Sequence, residues 1–271
     1  IVFTTPNLGV NSTPQLNLTG SHDFTLAGAL SGSGFIMLAN NSPINVTLSG
    51  NNSGFSGDLS VVNGSLILDN NNAAGTGILG LLSSAATAVF TSNAAAPILY
   101  GLDGSDGSLV LPSGAVLTFD LSNPDASFEF GGVISGVGGA PVDSSLIVTA
   151  SGGGGNSLNL SSSNNYTGGT TIANDGAVVV GNSHALGSGP VTVNTSLNGG
   201  LLLNSGVVLT NALTYNGGVL AGFGVFAPAN LTNVTFDAGK AVVPGVPFAS
   251  PNAAGTLTFA TNVTFANGIV T

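Results

Sequence analysis

Asn164-Asn-Tyr-Thr-Gly-Gly-Thr-Thr-Ile-Ala-Asn-Asp-Gly-Ala-Val-Val-Val180 decides how this sequence folds, because an earlier stretch repeats its plan. Asn52-Ser-Gly-Phe-Ser-Gly57 aligns with Asn164-Asn-Tyr-Thr-Gly168, aromatic on aromatic and Gly57 on Gly168. Each is followed by a β-prone run, a turn and a second run: Leu59-Ser-Val-Val-Asn-Gly-Ser-Leu-Ile-Leu68 in one, Thr170-Thr-Ile-Ala-Asn-Asp-Gly-Ala-Val-Val-Val180 in the other. Both then reach a Gly-x-Gly, Gly75-Thr-Gly77 and Gly187-Ser-Gly189. The copies stay in step: Tyr166 follows Phe55 by 111 residues and Gly187 follows Gly75 by 112. Upstream, Gly28-Ala-Leu-Ser-Gly-Ser-Gly34 resembles Gly132-Val-Ile-Ser-Gly-Val-Gly138.

Outward from these copies the same texture continues. Gly114-Ala-Val-Leu-Thr-Phe119, Leu146-Ile-Val-Thr149, Pro190-Val-Thr-Val193, Gly200-Leu-Leu-Leu203, Leu231-Thr-Asn-Val-Thr-Phe236 and Gly255-Thr-Leu-Thr-Phe259 are short runs rich in aliphatic, β-branched and aromatic residues, bounded by Asn, Gly, Ser or Asp. Several alternate apolar and polar, which turns one face inward. Helix signals are nearly absent, since glycine and β-branched residues disfavour long helices. Only residues 78–90 combine enough apolar character for a short helix, and periodicity does not separate that reading from strand.

Strand–turn–strand units that repeat without helices point to an all-β fold, a parallel β-helix in which each coil buries its inward residues against the next. At roughly 20–25 residues per coil the chain makes about eleven to thirteen coils. The expected organisation is one solenoid over 1–271 with two related halves, 1–126 (weaker repeat copy at 49–93) and 127–271 (clear copy at 164–206).

Composition narrows the function. Among 271 residues there is one basic residue, Lys240, against eleven acids, a formal charge of −10. A single lysine is no footprint for nucleic-acid phosphates and none for anionic lipid. Charged residues are 4% of the chain, where about a quarter is usual, yet 43% is hydrophobic, so the chain can bury a core beneath a neutral, amide- and hydroxyl-rich surface. Cysteine is absent, which removes disulfides, thiolate metal sites and cysteine nucleophiles together. No run of about 18 apolar residues is present to span a membrane as a helix. The first residue, Ile1, reads as one left after removal of a leader.

Gly131-Gly-Val-Ile-Ser-Gly136, Asn164-Asn-Tyr-Thr-Gly-Gly-Thr-Thr-Ile172, Gly176-Ala-Val-Val-Val180 and Ala185-Leu-Gly-Ser-Gly-Pro-Val-Thr-Val193 resemble the passenger-associated transport repeat of bacterial autotransporters, over about sixty residues. The stretch 49–77 is similar to a weaker copy, and Pro244-Gly245 with Gly255-Thr-Leu-Thr-Phe259 resembles the segment that follows such repeats. The resemblance implies a right-handed parallel β-helix, exported to the surface or surroundings of a Gram-negative-type bacterium, structural or adhesive in role. The family repeat carries no catalytic residues to transfer.

Candidate chemistry is sparse. Asp103 and Asp106, in Asp103-Gly-Ser-Asp-Gly107, form the densest acidic spot and a weak Ca²⁺ candidate, but the spacing matches no calcium loop and a turn is the plainer reading. Asp120, Asp125 and Glu129 offer carboxylates of the kind glycoside hydrolysis requires, although no arginine or tryptophan accompanies them. His22 and His184 are the only histidines, and each reads as a loop residue. Gly152-Gly-Gly-Gly155 lacks the Lys-Ser/Thr of a phosphate loop. Asn17, Asn45, Asn165, Asn230 and Asn262 lie in Asn-x-Ser/Thr sequons, readable as glycosylation sites or as amides stacked along successive coils. Ile1, Val2 and Phe3 form an apolar strand able to add to a neighbouring subunit.

These features lead to an extracellular structural protein, not an enzyme, without cofactor or metal, whose partners are copies of itself. An adhesin presenting loops to cell-surface glycans is the alternative, and a polysaccharide-active β-helix enzyme a more distant one.

Overall fold

Parallel pairing is the rule of this fold. In the computed structural model, which describes residues 2–3, 7–9, 15–39, 43–122, 127–151, 156–245 and 255–266, strand accounts for 49% and helix for 1%. The sheets stack as a β-solenoid of about ten turns, and the only helical element among the described residues is the 3₁₀ turn Val137–Gly139. Residues 78–90 are two strands, Leu79–Leu81 and Ala86–Phe90, separated by a turn. Their apolar residues follow the strand period, Ala86, Ala88 and Phe90 pointing inward and Thr87 and Val89 outward.

The chain clusters into two compact units, each with its own stacks. The first comprises 1–119 and 129–144, the second 120–128 and 145–271. The expected boundary near 126–127 is thus interleaved, for a hydrogen-bonding reason. Leu121 N–H bonds Thr149 C=O within the second unit, whereas Glu129 N–H reaches Asp103 and Val133 N–H reaches Gly107 within the first.

In the first unit, one coil visits three sheets in turn: Phe24–Leu26, then Ala29–Gly32, then Ile36–Leu38, before Asn45–Leu48 begins the next rung. Rungs recur every 20 to 25 residues, as Asn45 against Ser65 and Ser108 against Val133. The 20–25-residue spacing expected from sequence holds here. The last described coils are longer, Val225 lying against Thr258 and Asn233 against Asn262, which lowers the turn count below eleven. Register puts like on like. Val46, Leu66, Ala88, Leu109 and Ile134 form one inward column, and Ile36, Leu59, Leu79 and Leu102 another, all buried. In the second unit Leu158, Val178, Leu201, Leu220 and Val242 do the same. Each such aliphatic side chain contributes about 1.5–3 kcal/mol by leaving water.

The two sequence copies are one structural device used twice. Asn52 is buried, accepts the Leu30 N–H of the preceding coil at 2.8 Å and donates to Ala73 C=O of the following coil at 2.7 Å. Asn164 is buried and donates to Ala185 C=O at 2.6 Å. Thr76 N–H bonds Phe55 C=O, and Ser188 N–H bonds Tyr166 C=O. Both aromatics are fully buried. Gly75 (φ +75°) and Gly187 (φ +62°) pass against those aromatics with backbone that disfavours a side chain, and a Cβ on either would strike the aromatic residue's carbonyl oxygen. The aromatic–glycine pairing legible in sequence is therefore a close approach of one coil to the next.

Two substitutions test this device. Asn52→Ala strands a buried N–H and a buried C=O and is expected to lower the unfolding free energy by about 2–4 kcal/mol. Gly187→Ala is expected to cost more than about 1 kcal/mol. Gly20→Ala, whose Cβ would come no closer than 3.7 Å to His22 C=O, is expected to stay within about 0.5 kcal/mol of the parent. Urea unfolding of the three variants checks the order, and equal effects contradict it.

Candidate functional site

Most carboxylates fasten one coil to another. Asp23 accepts the backbone N–H and the side-chain amide of Asn45, each at 2.8 Å. Asp58 accepts Ile78 N–H at 2.9 Å, and Asp69 accepts Thr91 Oγ1 and the Asn93 amide. Asp143 accepts Ser113 Oγ and Gly114 N–H, both at 2.7 Å, and Asp175 accepts Ser196 Oγ. With one lysine in the chain, these acids find hydroxyl and amide donors on the neighbouring coil in place of cations. The donors hold the carboxyls of Asp23 and Asp143 below their ordinary value. For Asp23 the main cause is the Asn45 backbone N–H, and for Asp143 the Ser113 hydroxyl.

Of the acids singled out in the sequence, only Asp103 joins coils in this way. Asp103 accepts Glu129 N–H at 3.0 Å, while Asp106 accepts the adjacent Gly107 N–H at 2.9 Å, a turn contact. Asp120 bonds Ser122 two residues on, Glu129 is exposed in the strand Phe128–Phe130, and Asp125 lies outside the described residues. Among the described residues no three His, Asp or Glu side chains are grouped to hold a metal ion. His22 pairs with Ser21 Oγ at 2.9 Å, and His184 occupies an exposed turn whose carbonyl accepts Asn164 N–H. Gly152 to Gly155 lie outside the described residues.

The five sequon asparagines are all exposed but differently engaged. Asn17 accepts from Gln15, and Asn45 is tied to Asp23. Asn230 bonds the Leu213 backbone through both ends of its amide. Asn262 lies in register with Asn233. Asn165 directly follows the buried Asn164. Of the apolar first segment, Ile1 lies outside the described residues, and Val2–Phe3 pairs in parallel with Phe24–Leu26 of its own chain, forming the first rung of the seven-stranded sheet.

That sheet presents the feature that sets the protein's surface chemistry. Its outward positions form two columns: Asn45, Ser65, Thr87, Ser108 and Val133 in one, Thr25, Thr47, Ile67 and Val89 in the other, which runs on into the buried Val110. No position in either column is charged. Hydroxyl and amide groups thus repeat on four successive rungs, Asn45 to Ser108, about 4.8 Å apart, beside a methyl-bearing row.

Two signals went unread in the sequence. Thr232-Asn-Val-Thr-Phe236 and Thr261-Asn-Val-Thr-Phe265 are identical, and they stack in register with Phe236 and Phe265 5.4 Å apart and nearly parallel. The second is the surroundings of Lys240. Its ammonium lies 3.3 Å from Asp237 and 5.5 Å from the Tyr215 ring centroid. Burial pushes the Tyr215 phenol up, its hydroxyl donating to Gly218 C=O at 2.7 Å.

No protein-family model matches the chain, and neither the curated proteins nor the solved structures contain a match to it.

The clamps predict a direction with pH. A carboxyl whose folded value is depressed stabilises the fold fully above its unfolded value, here 3.8, and loses that contribution as pH falls through the folded value. The melting temperature is expected to hold at neutral pH and fall as pH drops below 3.8, and Asp23→Asn with Asp143→Asn to flatten part of that fall. Thermal melts of dilute protein across pH check this. An unchanged slope in the double variant contradicts it.

Proposed function

We propose that the chain is an exported structural protein whose solenoids associate with one another in a surface fibre, sheath or layer. The observation that carries this reading is the outward side of the seven-stranded sheet, where Ser65, Thr87, Ile67 and Val89 carry no charge and the flanking carboxylates of Asp23 and Asp69 are hydrogen-bonded to Asn45 and to Thr91 and Asn93. Like charges brought together cost energy, so a chain of formal charge −10 associates with itself best through a surface whose central positions carry no carboxylate. Two such faces can meet with methyl rows in contact and hydroxyl rows exchanging hydrogen bonds, at the roughly 10 Å spacing of stacked sheets.

The resemblance of 131–193 to the autotransporter passenger repeat supports export to a bacterial cell surface. A role without catalysis is supported by the engagement of Asp103, Asp106 and Asp120 in backbone or local hydrogen bonds. In the second reading, an adhesin, the same solenoid coils display their loops to cells or glycans.

Sedimentation velocity and negative-stain microscopy of the full chain test the primary reading. Association is expected at neutral pH, growing with ionic strength as repulsion is screened and growing again as pH approaches the isoelectric point near 4.1. Ile67→Glu with Val89→Glu places charge on the face and is expected to leave the melting temperature near the parent's while shifting the protein to monomer. Parent protein that stays monomeric throughout, or assemblies indifferent to the double variant, would overturn the reading.

A further inference from the structure

The stack that runs through Leu146, Thr170, Val191 and Leu213 ends abruptly. Where the next coil should supply a strand, it supplies one side chain. Asn230 Oδ1 accepts Leu213 N–H at 2.8 Å and Asn230 Nδ2 donates to Leu213 C=O at 3.2 Å, so a carboxamide takes the place of the missing peptide group. The chain then turns away to pair Asn233–Phe236 with Asn262–Phe265. Beyond the Asn230 clip, no described strand continues the ladder beneath Thr214 and Tyr215.

The missing rung leaves a cleft of about 330 Å³, lined by Thr214, Tyr215, Asn230, Asn233, Thr235 and Lys240 among others. That volume is at the lower end of the usual small-molecule range of about 300–1,000 Å³. At its edge stands the chain's one cationic side chain, 15% exposed. The Lys240 ammonium has three donors and, among the described residues, a single carboxylate partner, Asp237, at 3.3 and 3.5 Å. Thr235 Oγ1 accepts from Asn233 Nδ2 at 3.2 Å and keeps its own proton to donate.

We propose that this cleft binds one neutral sugar unit of a polysaccharide, with Lys240, held by Asp237, donating to a ring hydroxyl and the Thr235 hydroxyl and Asn233 amide engaging its neighbours. The Lys240 ammonium beside a hydroxyl and an amide, which can each donate and accept, matches the alternating demands of adjacent hydroxyls. An acidic sugar fits poorly, because Asp237 already balances the ammonium and the chain as a whole is strongly negative. An extended peptide fits poorly as well. Strand addition gains its affinity from a row of main-chain bonds, and Asn230 has already taken those of Leu213. The site is independent of assembly through the seven-stranded sheet, so either reading can fail alone.

Saturation-transfer NMR on the full chain tests it, using neutral homotrisaccharides of glucose, galactose, mannose and N-acetylglucosamine, with sialyllactose and the peptide Thr-Asn-Val-Thr-Phe as comparison probes. At least one neutral probe is expected to bind with a roughly millimolar dissociation constant. Lys240→Met and Thr235→Val, both near-isosteric, are each expected to weaken it about tenfold, with melting temperature and sedimentation unchanged. No transfer to any neutral probe, transfer indifferent to both variants, or tighter binding of sialyllactose or the peptide would overturn the proposal.

Discussion

The whole molecule depends on one constraint: each rung's backbone must hydrogen-bond the next in register, so whatever a residue does is repeated about 4.8 Å away. Aliphatic residues then stack on aliphatic residues, and the core is built from inward columns. The same rule governs the surface. A charge at an outward position would face its counterparts one rung above and below, in a chain that has almost no cations to offset it. Low charge and parallel stacking are therefore two sides of one design. Acids survive where a neighbouring coil offers a hydroxyl or an amide, as Ser113 and Gly114 do for Asp143.

Register also explains which sequence signals were legible. The Phe55 and Tyr166 copies align because close coil approach demands glycine at positions 75 and 187. Short β-branched runs between Asn and Gly turns fixed the strands. Residues 78–90 stayed ambiguous because a short apolar run lacks a period long enough to separate helix from strand, and only pairing with the neighbouring rungs resolves it. The interleaving of 120–128 with 129–144 was invisible, since it depends on which distant coil each backbone N–H meets.

The functional surface was harder to read than the core. Asp103 and Asp120 stand out in a sequence with few acids, yet both carboxylates are occupied by nearby N–H or O–H groups. Asn52 and Asn164 look like two more asparagines in an asparagine-rich chain, and their burial between coils emerges only in three dimensions. Lys240 was conspicuous as the lone cation, but its cleft exists because a rung is missing beneath Thr214 and Tyr215. No local sequence pattern marks a missing neighbour.

The most direct measurement of the stacking itself uses the absence of native cysteine. Spin labels at Asn45→Cys paired in turn with Thr87→Cys, Ser108→Cys and Val133→Cys span two, three and four rungs of the seven-stranded sheet. Dipolar EPR is predicted to give backbone separations of about 10, 14 and 19 Å, a step of about 4.8 Å per rung. Separations that do not rise in that order, or that jump by more than twice the step, would mean that the coils are not stacked in parallel register.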